Sequence, residues 1–406
     1  ASIGGGTGGT DGGKNGGNAT VTISGNPVVR TGSIGGGKTN SATGKKGNAT
    51  ITVSGGDISA QFIMEAGSAT KSKFTMEGGV IRDSYVNDKE YEHIETKGGA
   101  VYMENGTFTM KGGTIRNCKA IEGGAVYIKG IESPEFIMEG GEIINNISET
   151  NGGAVYLEGG TVTISGGQLR SNLAKNGNGG AIYINAGDFY MTEGSTGSIF
   201  RNVALKTSET NAGHGGGIYV TSVSSDVDVE VLSGRVENNV CDGNGGGICV
   251  DMAGTTRTAN VKIGKDGVVS DNNPSISTNS AVRYGGGLYA VGEMAKVTIN
   301  GGKISGNEVF NYVPNPDVTN EGGTVVLNGG KVKHQVVTFD ANAADATVAG
   351  ASTAVQRIVT ATNSALVLPE TPERNFYDFM GWNSRPDGKG KTYVNGENMN
   401  ITEDIT

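Results

Sequence analysis

The feature that most constrains this chain is a short motif, glycine-glycine-small-aliphatic-tyrosine, which recurs along much of its 406 residues. Successive copies start 25 to 40 residues apart. A repeat of this length is typical of solenoid proteins, in which each copy forms one unit that stacks on its neighbour. The copies begin at Gly98, Gly123, Gly152, Gly179, Gly215, Gly245 and Gly285, and a weaker copy begins at Gly322.

Two further motifs follow many of these copies. One has the pattern aliphatic-x-aliphatic-x-Gly-Gly-x-aliphatic, as in FTMKGGTI from Phe108, and the next ends in asparagine, as in IINN from Ile143. All three segments alternate in polarity over four or five residues, which indicates strands rather than helices. Three short strands with turns fill about 25 residues, the length of one coil of a parallel β-helix.

Parallel coils stack about 4.8 Å apart, so equivalent side chains should form ladders along the axis. Glycine pairs suit corners that need positive φ or close backbone approach, and stacked asparagines can bond along the axis. We expect one inward aliphatic ladder at Val101, Val126, Val155, Ile182, Ile218, Ile248 and Leu288. We expect a neighbouring ladder at Tyr102, Tyr127, Tyr156, Tyr183, Tyr219 and Tyr289.

Composition narrows the class of protein further. Glycine makes up 71 residues, and such density disfavours long helices. The net charge of −9 leaves no basic surplus for nucleic acid, and no apolar stretch is long enough for a membrane span. Cys118, Cys241 and Cys249 read as buried small side chains, although a bridge between the last two is an alternative.

Residues outside the regular copies are interpreted as related coils or as insertions. The first 60 residues repeat with a period of about 30, as in ASIGGG at Ala1 and GSIGGG at Gly32, and predict glycine-rich first coils. Longer gaps predict loops at one corner of the coil. These loops are expected at Ser84–Lys97, Arg201–His214, Asp251–Val261, Asn272–Tyr284 and Asn307–Glu321.

The pattern changes from His334, where the glycine pairs end. TFDAN from Thr338, LPETPERNFYDFMGW from Leu368, PDGKGKTY from Pro386 and TEDIT from Thr402 resemble the Listeria–Bacteroides repeat, also called the internalin B-repeat. The resemblance covers about 70 residues. It implies a small β-grasp-like module of bacterial surface proteins. The family continues beyond the point that corresponds to Thr406, so we expect a truncated copy.

The glycine-pair repeats over 98–307 are similar to those of chlamydial polymorphic membrane proteins and related β-helical adhesins. We therefore expect an all-β chain with a right-handed parallel β-helix of about 9–11 coils over 1–333, its glycine-rich first coils in 1–60. A β-grasp-like domain is expected over 334–406. Together the two resemblances imply an extracellular protein at the bacterial cell surface or cell wall.

Parallel β-helices also carry polysaccharide-active enzymes, so catalytic groups need a separate test. Glycoside hydrolysis requires two converging carboxylates, and the strands show no Asp-Asp pair on neighbouring coils. His214 lies in a polygalacturonase-like Gly-His-Gly string, but its companion residues are missing, and a loop histidine is the better interpretation. Asp226, Asp228 and Glu230 form an acidic row for which Ca²⁺ is the conceivable ligand. A solvated strand face is the alternative, and no other cofactor is expected.

The favoured hypothesis is a non-catalytic adhesin or carbohydrate-binding protein, built as a rigid, monomeric rod. Its partner would be a polysaccharide or a host surface protein, and the tyrosine ladder is a candidate stacking track for sugars. Packing is the alternative role for those rings. The rival function is a lyase or hydrolase acting on uronate-containing or other acidic glycans. Ice or mineral binding is disfavoured because the outward rows mix charge with threonine.

Overall fold

The computed structural model describes residues 2–5, 15–37, 45–64, 71–83, 97–206, 212–265 and 273–309. Beyond residue 309 it describes Lys389 and the backbone of short strands. Within these parts of the chain every element is a strand, and none is a helix that could cross a membrane. The glycine-rich stretches 8–14 and 38–44 and the expected loop at 84–96 lie outside the described residues.

Most strands pair in parallel and form three long sheets, each running the length of the repeat region. Four strands are long enough to turn a corner and contribute to two sheets: Val28–Gly35, Asp57–Met64, Val101–Met110 and Val126–Met138. These and seven further described strands form the first sheet, which contains the tyrosine motif. The seven are Ser2–Gly4, Val155–Leu157, Ile182–Ile184, Ile218–Val220, Ile248–Asp251, Leu288–Val291 and Val318–Glu321.

The second and third sheets follow in order around each coil. The second sheet adds Ala19–Ile23, Ala49–Val53, Lys73–Met76, Thr161–Ile164, Asp188–Met191, Val227–Val231, Ala259–Ile263, Ala295–Ile299 and Thr324–Leu327. The third adds Val80–Arg82, Thr114–Arg116, Glu142–Ile144, Gln168–Arg170, Ser198–Phe200, Arg235–Glu237, Ser275–Ser277, Lys303–Ser305 and Lys331–Val332.

A fourth sheet of two-residue strands completes the coil between the third sheet and the next glycine pair. Its strands are Lys119–Ala120, Ile147–Ser148, Leu173–Ala174, Val203–Ala204, Val240–Cys241, Ser280–Ala281 and Glu308–Val309. The parallel β-helix and the all-β fold are thus confirmed.

The register places like residues over like residues, as the repeat predicts. Val101 pairs with Val126, Val126 with Val155, and the line continues through every expected member to Leu288. All seven side chains of this aliphatic ladder are 0% exposed. Phe74, Phe108 and Phe136 form a second inward stack with ring centroids 4.5 and 4.8 Å apart.

Buried asparagines connect the coils at the corner after the third sheet. Each amide accepts from the backbone N–H of the preceding coil, and each of the first five donates to the next asparagine, at 2.9–3.0 Å. The ladder consists of Asn146, Asn172, Asn202, Asn239, Asn279 and Asn307, and Cys118 occupies the position before it. The residue before each asparagine has positive φ, for example 56° at Asn145.

The glycine pairs occupy the corner before the first sheet for two different reasons. Gly152 has φ of +69°, in the left-handed region that side chains rarely adopt. Its neighbour Gly153 faces the next coil, where an added Cβ would lie 2.1 Å from the carbonyl oxygen of Gly180. The first glycine is therefore needed for its conformation, and the second for the close approach of two backbones.

The interpretation of the longer gaps was correct only in part. The first coils pair as expected, with Ile3 on Ile34 and Ala19 on Ala49. The supposed loop Asn272–Tyr284, however, contains the strands Ser275–Ser277 and Ser280–Ala281. Three other expected loops also contain strands. Val203–Ala204 lies within Arg201–His214, Ala259–Ile263 begins within Asp251–Val261, and Glu308–Val309 and Val318–Glu321 lie within Asn307–Glu321. None of these strands follows a glycine pair, so the repeat motif does not reveal them.

Parallel pairing ends at Val332, and the strands that follow pair in the antiparallel sense. His334–Asp340 pairs with Ala354–Thr360, and Trp382–Asn383 pairs with Thr392–Tyr393. The β-grasp-like domain expected over 334–406 otherwise lies almost entirely outside the described residues, so it stays a prediction.

We expect loss of one ladder amide to destabilise the protein strongly. Asn146→Ala removes the acceptor for the Cys118 N–H and the donor to Ile115 O and Asn172 Oδ1, leaving buried groups unsatisfied. The free energy of unfolding should fall by about 3 kcal/mol in urea denaturation. The neighbouring Asn145→Gly, which keeps the positive φ at an exposed site, should change it by less than about 0.5 kcal/mol.

Candidate functional site

The predicted tyrosine ladder exists, but its rings pack against each other. Consecutive rings from Tyr102 to Tyr219 have centroids 5.8, 5.0, 4.8 and 5.2 Å apart and lie within 27° of parallel. Tyr183 is half-buried, and the other five predicted tyrosines are at most 7% exposed. Cys249 occupies the ladder position between Tyr219 and Tyr289. Since neighbouring rings cover the faces of the stacked tyrosines, the arrangement favours packing over a sugar-stacking role.

Carboxylates bind the hydroxyl groups along the edge of this ladder. Tyr102 donates to Glu104 at 2.7 Å, Tyr219 donates to Asp251 at 2.9 Å, and Tyr127 donates to Glu158. Burial, reinforced by the neighbouring carboxylates, raises the pKa of the Tyr127 and Tyr219 phenols well above the usual value. The phenols therefore stay protonated and serve as hydrogen-bond donors to one buried carboxylate, Glu104, and to two half-buried ones, Glu158 and Asp251.

The three residues of the predicted acidic row have separate structural contacts. Asp226 accepts from the Thr258 N–H at 2.8 Å, and Asp228 accepts from the Asn260 amide at 3.0 Å. Glu230 pairs in register with Lys262 on the next coil. Among the residues that the structure describes, no group of three or more His, Cys, Asp or Glu side chains could hold a metal ion.

The structure corrects the expectation that no Asp-Asp pair spans neighbouring coils. Asp188 and Asp228 begin equivalent segments of two successive second-sheet strands, and Asp188 Oδ1 accepts the Asp228 N–H at 3.0 Å. The repeat motif does not reveal Asp188, because its strand, DFYM, is not followed by the glycine pair that marks many of the copies. The sequence signal for this strand is the alternation of Asp188 and Tyr190 with the apolar residues Phe189 and Met191.

Tyr190 lies beside this aspartate pair on the outward face of the second sheet. It is half-buried and stands in register between Thr163 and Glu230. Burial and the carboxylates of Asp188, Asp228 and Glu230 raise the pKa of Tyr190 to about 12. We define the second-sheet patch as Asp188, Tyr190, Asp228, Glu230, Asn260 and Lys262.

The second-sheet patch combines an aromatic ring with carboxylate, amide and ammonium groups on one flat surface. Asp228 and Asn260 are exposed, and the others are half-buried. An aromatic ring offers an apolar surface, and the surrounding groups offer donors and acceptors for hydroxyl groups. The patch therefore has the chemistry to bind a polyhydroxylated ligand without a metal.

His214 has a structural role in a second line of side chains, at the corner before the glycine pairs. Asn151 Oδ1 accepts the Asn178 N–H, Asn178 Oδ1 accepts the His214 N–H, and His214 Nδ1 accepts the Asn244 N–H at 3.0 Å. Burial lowers the pKa of His214, which keeps the imidazole neutral. This supports the interpretation of His214 as a structural rather than catalytic residue.

The three cysteines are buried and free, so the alternative of a Cys241–Cys249 bridge is not realised. Burial raises the pKa of the Cys241 thiol to about 12. A thiol in this environment is a poor nucleophile, which fits the packing role expected from the sequence.

Comparison with known proteins identifies one part of the chain. Residues 336–406 match the family described as the Listeria–Bacteroides repeat domain. A search of curated proteins and a search of solved structures gave no match. The C-terminal segment carries a Listeria–Bacteroides repeat. Repeats of this family are typical of extracellular or surface-associated bacterial proteins.

We expect the ladder tyrosines to matter for stability and Tyr190 not to. Tyr127→Ala removes a ring that is 0% exposed, so unfolding in urea should become easier by about 3–5 kcal/mol. Tyr190→Ala, in a second-sheet strand where the ring is only half-buried, should cost less than about 1 kcal/mol. Equal costs for the two variants would contradict this assignment.

We also expect His214 to make stability fall in mild acid. The folded pKa lies below the ordinary value, so the unfolded chain binds the proton first, and stability is lost as the pH drops below about 6.5. His214→Asn retains an acceptor, as at Asn178, but cannot titrate. When the pH is lowered from 7.5 to 5.5, the melting temperature of the wild type should fall more than that of the variant.

Proposed function

We propose that this chain is a non-catalytic, surface-displayed rod that binds a polysaccharide through the second-sheet patch around Tyr190. The observation that carries the proposal is the position of this ring: half-buried, outward, and surrounded by Asp188, Asp228 and Glu230. A host surface protein is the other class of partner, and binding experiments with the same variants distinguish the two.

The shape of the face supports a long ligand. Thr161 and Thr163 lie beside Asp188 and Tyr190 in register, and Thr107 and Thr109 lie two coils further along. Parallel strands spaced about 4.8 Å apart form a straight track rather than a pocket. A polymer that repeats its hydroxyl groups along its length fits such a track better than a compact molecule does.

The location of the protein supports the same proposal. The Listeria–Bacteroides repeat favours an extracellular or surface-associated position in a bacterium, where polysaccharides are abundant. In all three sheets the coils stack through parallel backbone hydrogen bonds from one coil to the next. This regular stacking makes the repeat region suitable as a rod for display. We include attachment at the cell wall in the proposal.

We expect substitution of Tyr190 to weaken binding without affecting the fold. Wild type and Tyr190→Ala are screened on a glycan array and then titrated by calorimetry against the best ligand. Tyr190→Ala should weaken binding about 5- to 30-fold because it removes the stacking surface, with a contribution of about 1–2 kcal/mol. Tyr284→Ala, which removes another partly exposed tyrosine elsewhere, is the matched control and should bind normally.

The Asp188–Asp228 pair favours one alternative function, a polysaccharide lyase or hydrolase. Two carboxylates on neighbouring coils are the arrangement from which an acid and a base or nucleophile could act on a glycosidic bond. Incubation with pectin, alginate and glycosaminoglycans in the presence of Ca²⁺ tests this function. Release of oligosaccharides that is lost in Asp228→Asn would replace the non-catalytic proposal.

A further inference from the structure

The fourth sheet presents a row of apolar side chains that the binding function does not use. In all these two-residue strands but Glu308–Val309 the second residue is buried, as Ala174 and Ala204 are, and the first faces outward. We call the outward line the fourth-sheet row. It runs Lys119, Ile147, Leu173, Val203, Val240, Ser280 and Glu308 in register. Its four aliphatic members are half-buried, and its two charged ends are exposed.

Two more outward rows run beside it, in register with the same coils. The third-sheet row contains Arg116, Ile144, Arg170, Phe200, Glu237, Ser277 and Ser305. The edge row, one residue beyond the fourth sheet, contains Ile121, Glu149, Lys175, Leu205, Asp242 and Val282. One coil places an apolar residue in every row, namely Phe200, Val203 and Leu205, and Leu205 is 38% exposed.

Charges on either side of this central coil have opposite signs at equal distances. One coil before it are Arg170 and Lys175, and one coil after it are Glu237 and Asp242. Three coils before it is Lys119, and three coils after it is Glu308. A twofold axis through the central coil, perpendicular to the coil axis, would bring every one of these cations opposite an anion of a second copy.

The same geometry sets the direction of the two copies. If the second copy ran parallel, about a twofold axis along the coil axis, Lys119 would face Lys119, Arg170 would face Lys175 and Glu237 would face Asp242. Like charges placed directly opposite are repulsive, whereas the antiparallel arrangement replaces all of them by complementary pairs. The apolar centre is preserved in the antiparallel arrangement, since Phe200, Val203 and Leu205 then meet their own copies.

We propose that the protein self-associates as an antiparallel, twofold-symmetric dimer through these three rows. The interface is isologous, with Val203 and Leu205 on the axis and Lys119 paired with Glu308 at both ends. Arg170 and Lys175 bond to Glu142 and Glu149 of the same chain in surface ion pairs, which are weak and can be exchanged. Because the rows span only about 29 Å, the dimer should be weak. The protein is then not a constitutive monomer.

Sedimentation velocity of the full chain over a concentration series tests for the dimer. Wild type should shift from monomer to dimer as concentration rises. Leu205→Asp places two like charges on the axis and should weaken association at least a hundredfold. Val223→Asp, at an apolar residue that is 72% exposed and lies outside the three rows, should associate like the wild type. A wild type that remains monomeric at every concentration overturns the proposal, as does a Leu205→Asp variant that dimerises normally.

A charge exchange tests the pairing itself. Lys119→Glu and Glu308→Lys should each weaken the dimer about tenfold, since each creates two repulsive contacts. The double variant restores complementary charges and should return the dissociation constant to within about threefold of the wild type. Both sites are exposed strand ends, so folding is not at risk. Additive weakening in the double variant would contradict the antiparallel register.

Orientation can be measured directly with a spin label at Lys119→Cys. The three native cysteines are buried, so the new thiol is the accessible one among the described residues. In the proposed dimer the two labels lie six coils apart, about 29 Å along the axis. A parallel dimer would place them within about 15 Å of each other, and that result would overturn the proposal.

Discussion

The interaction on which the fold depends is the hydrogen bond that runs along the coil axis, from one turn of the chain to the equivalent position of the next. Buried backbone groups must be paired, and here nearly all described strands pair with the strand one coil away. The asparagine ladder continues the same bonding through a corner where the backbone alone could not, since each amide joins Cys118 or another asparagine to its neighbour. Because this register places equivalent positions directly over each other, the same kind of side chain recurs at each of them.

Much of this architecture could be predicted because residues that stack on each other are of the same kind and therefore recur at regular intervals in the sequence. The aliphatic ladder from Val101 to Leu288, the glycine corners and the amide ladder all follow from residues that recur at equivalent positions. Prediction failed where a coil departs from the motif but keeps the geometry. Ser275–Ser277 has no glycine pair, yet Ile276 is fully buried in the same inward line as Ile304. In this strand the fold constrains only the inward residue, Ile276, which must be apolar.

Candidate functional residues were less predictable, because a repeated residue is first of all a packing residue. The tyrosines recur at one position of the repeat because neighbouring rings stack on each other. Tyr190, in contrast, appears once in its row, with Thr163 before it and Glu230 after it. Within a solenoid, an outward side chain that breaks the repeat carries more information about binding than one that keeps it. Asp228 belongs to the predicted acidic row, but its neighbour Asp188 was not predicted, because the strand of Asp188 lacks the glycine pair.

The direction of the coil-to-coil bonds has a mechanical consequence for the surface display that we propose. A force that pulls the two ends of the repeat region apart acts along those hydrogen bonds and strains them a few at a time. Each turn can then detach separately and lengthen the molecule, while the remaining turns keep their ladders intact. Shear across the rod would instead have to break many bonds together. The repeat region should therefore resist shear across the coil axis and lengthen gradually under tension along it.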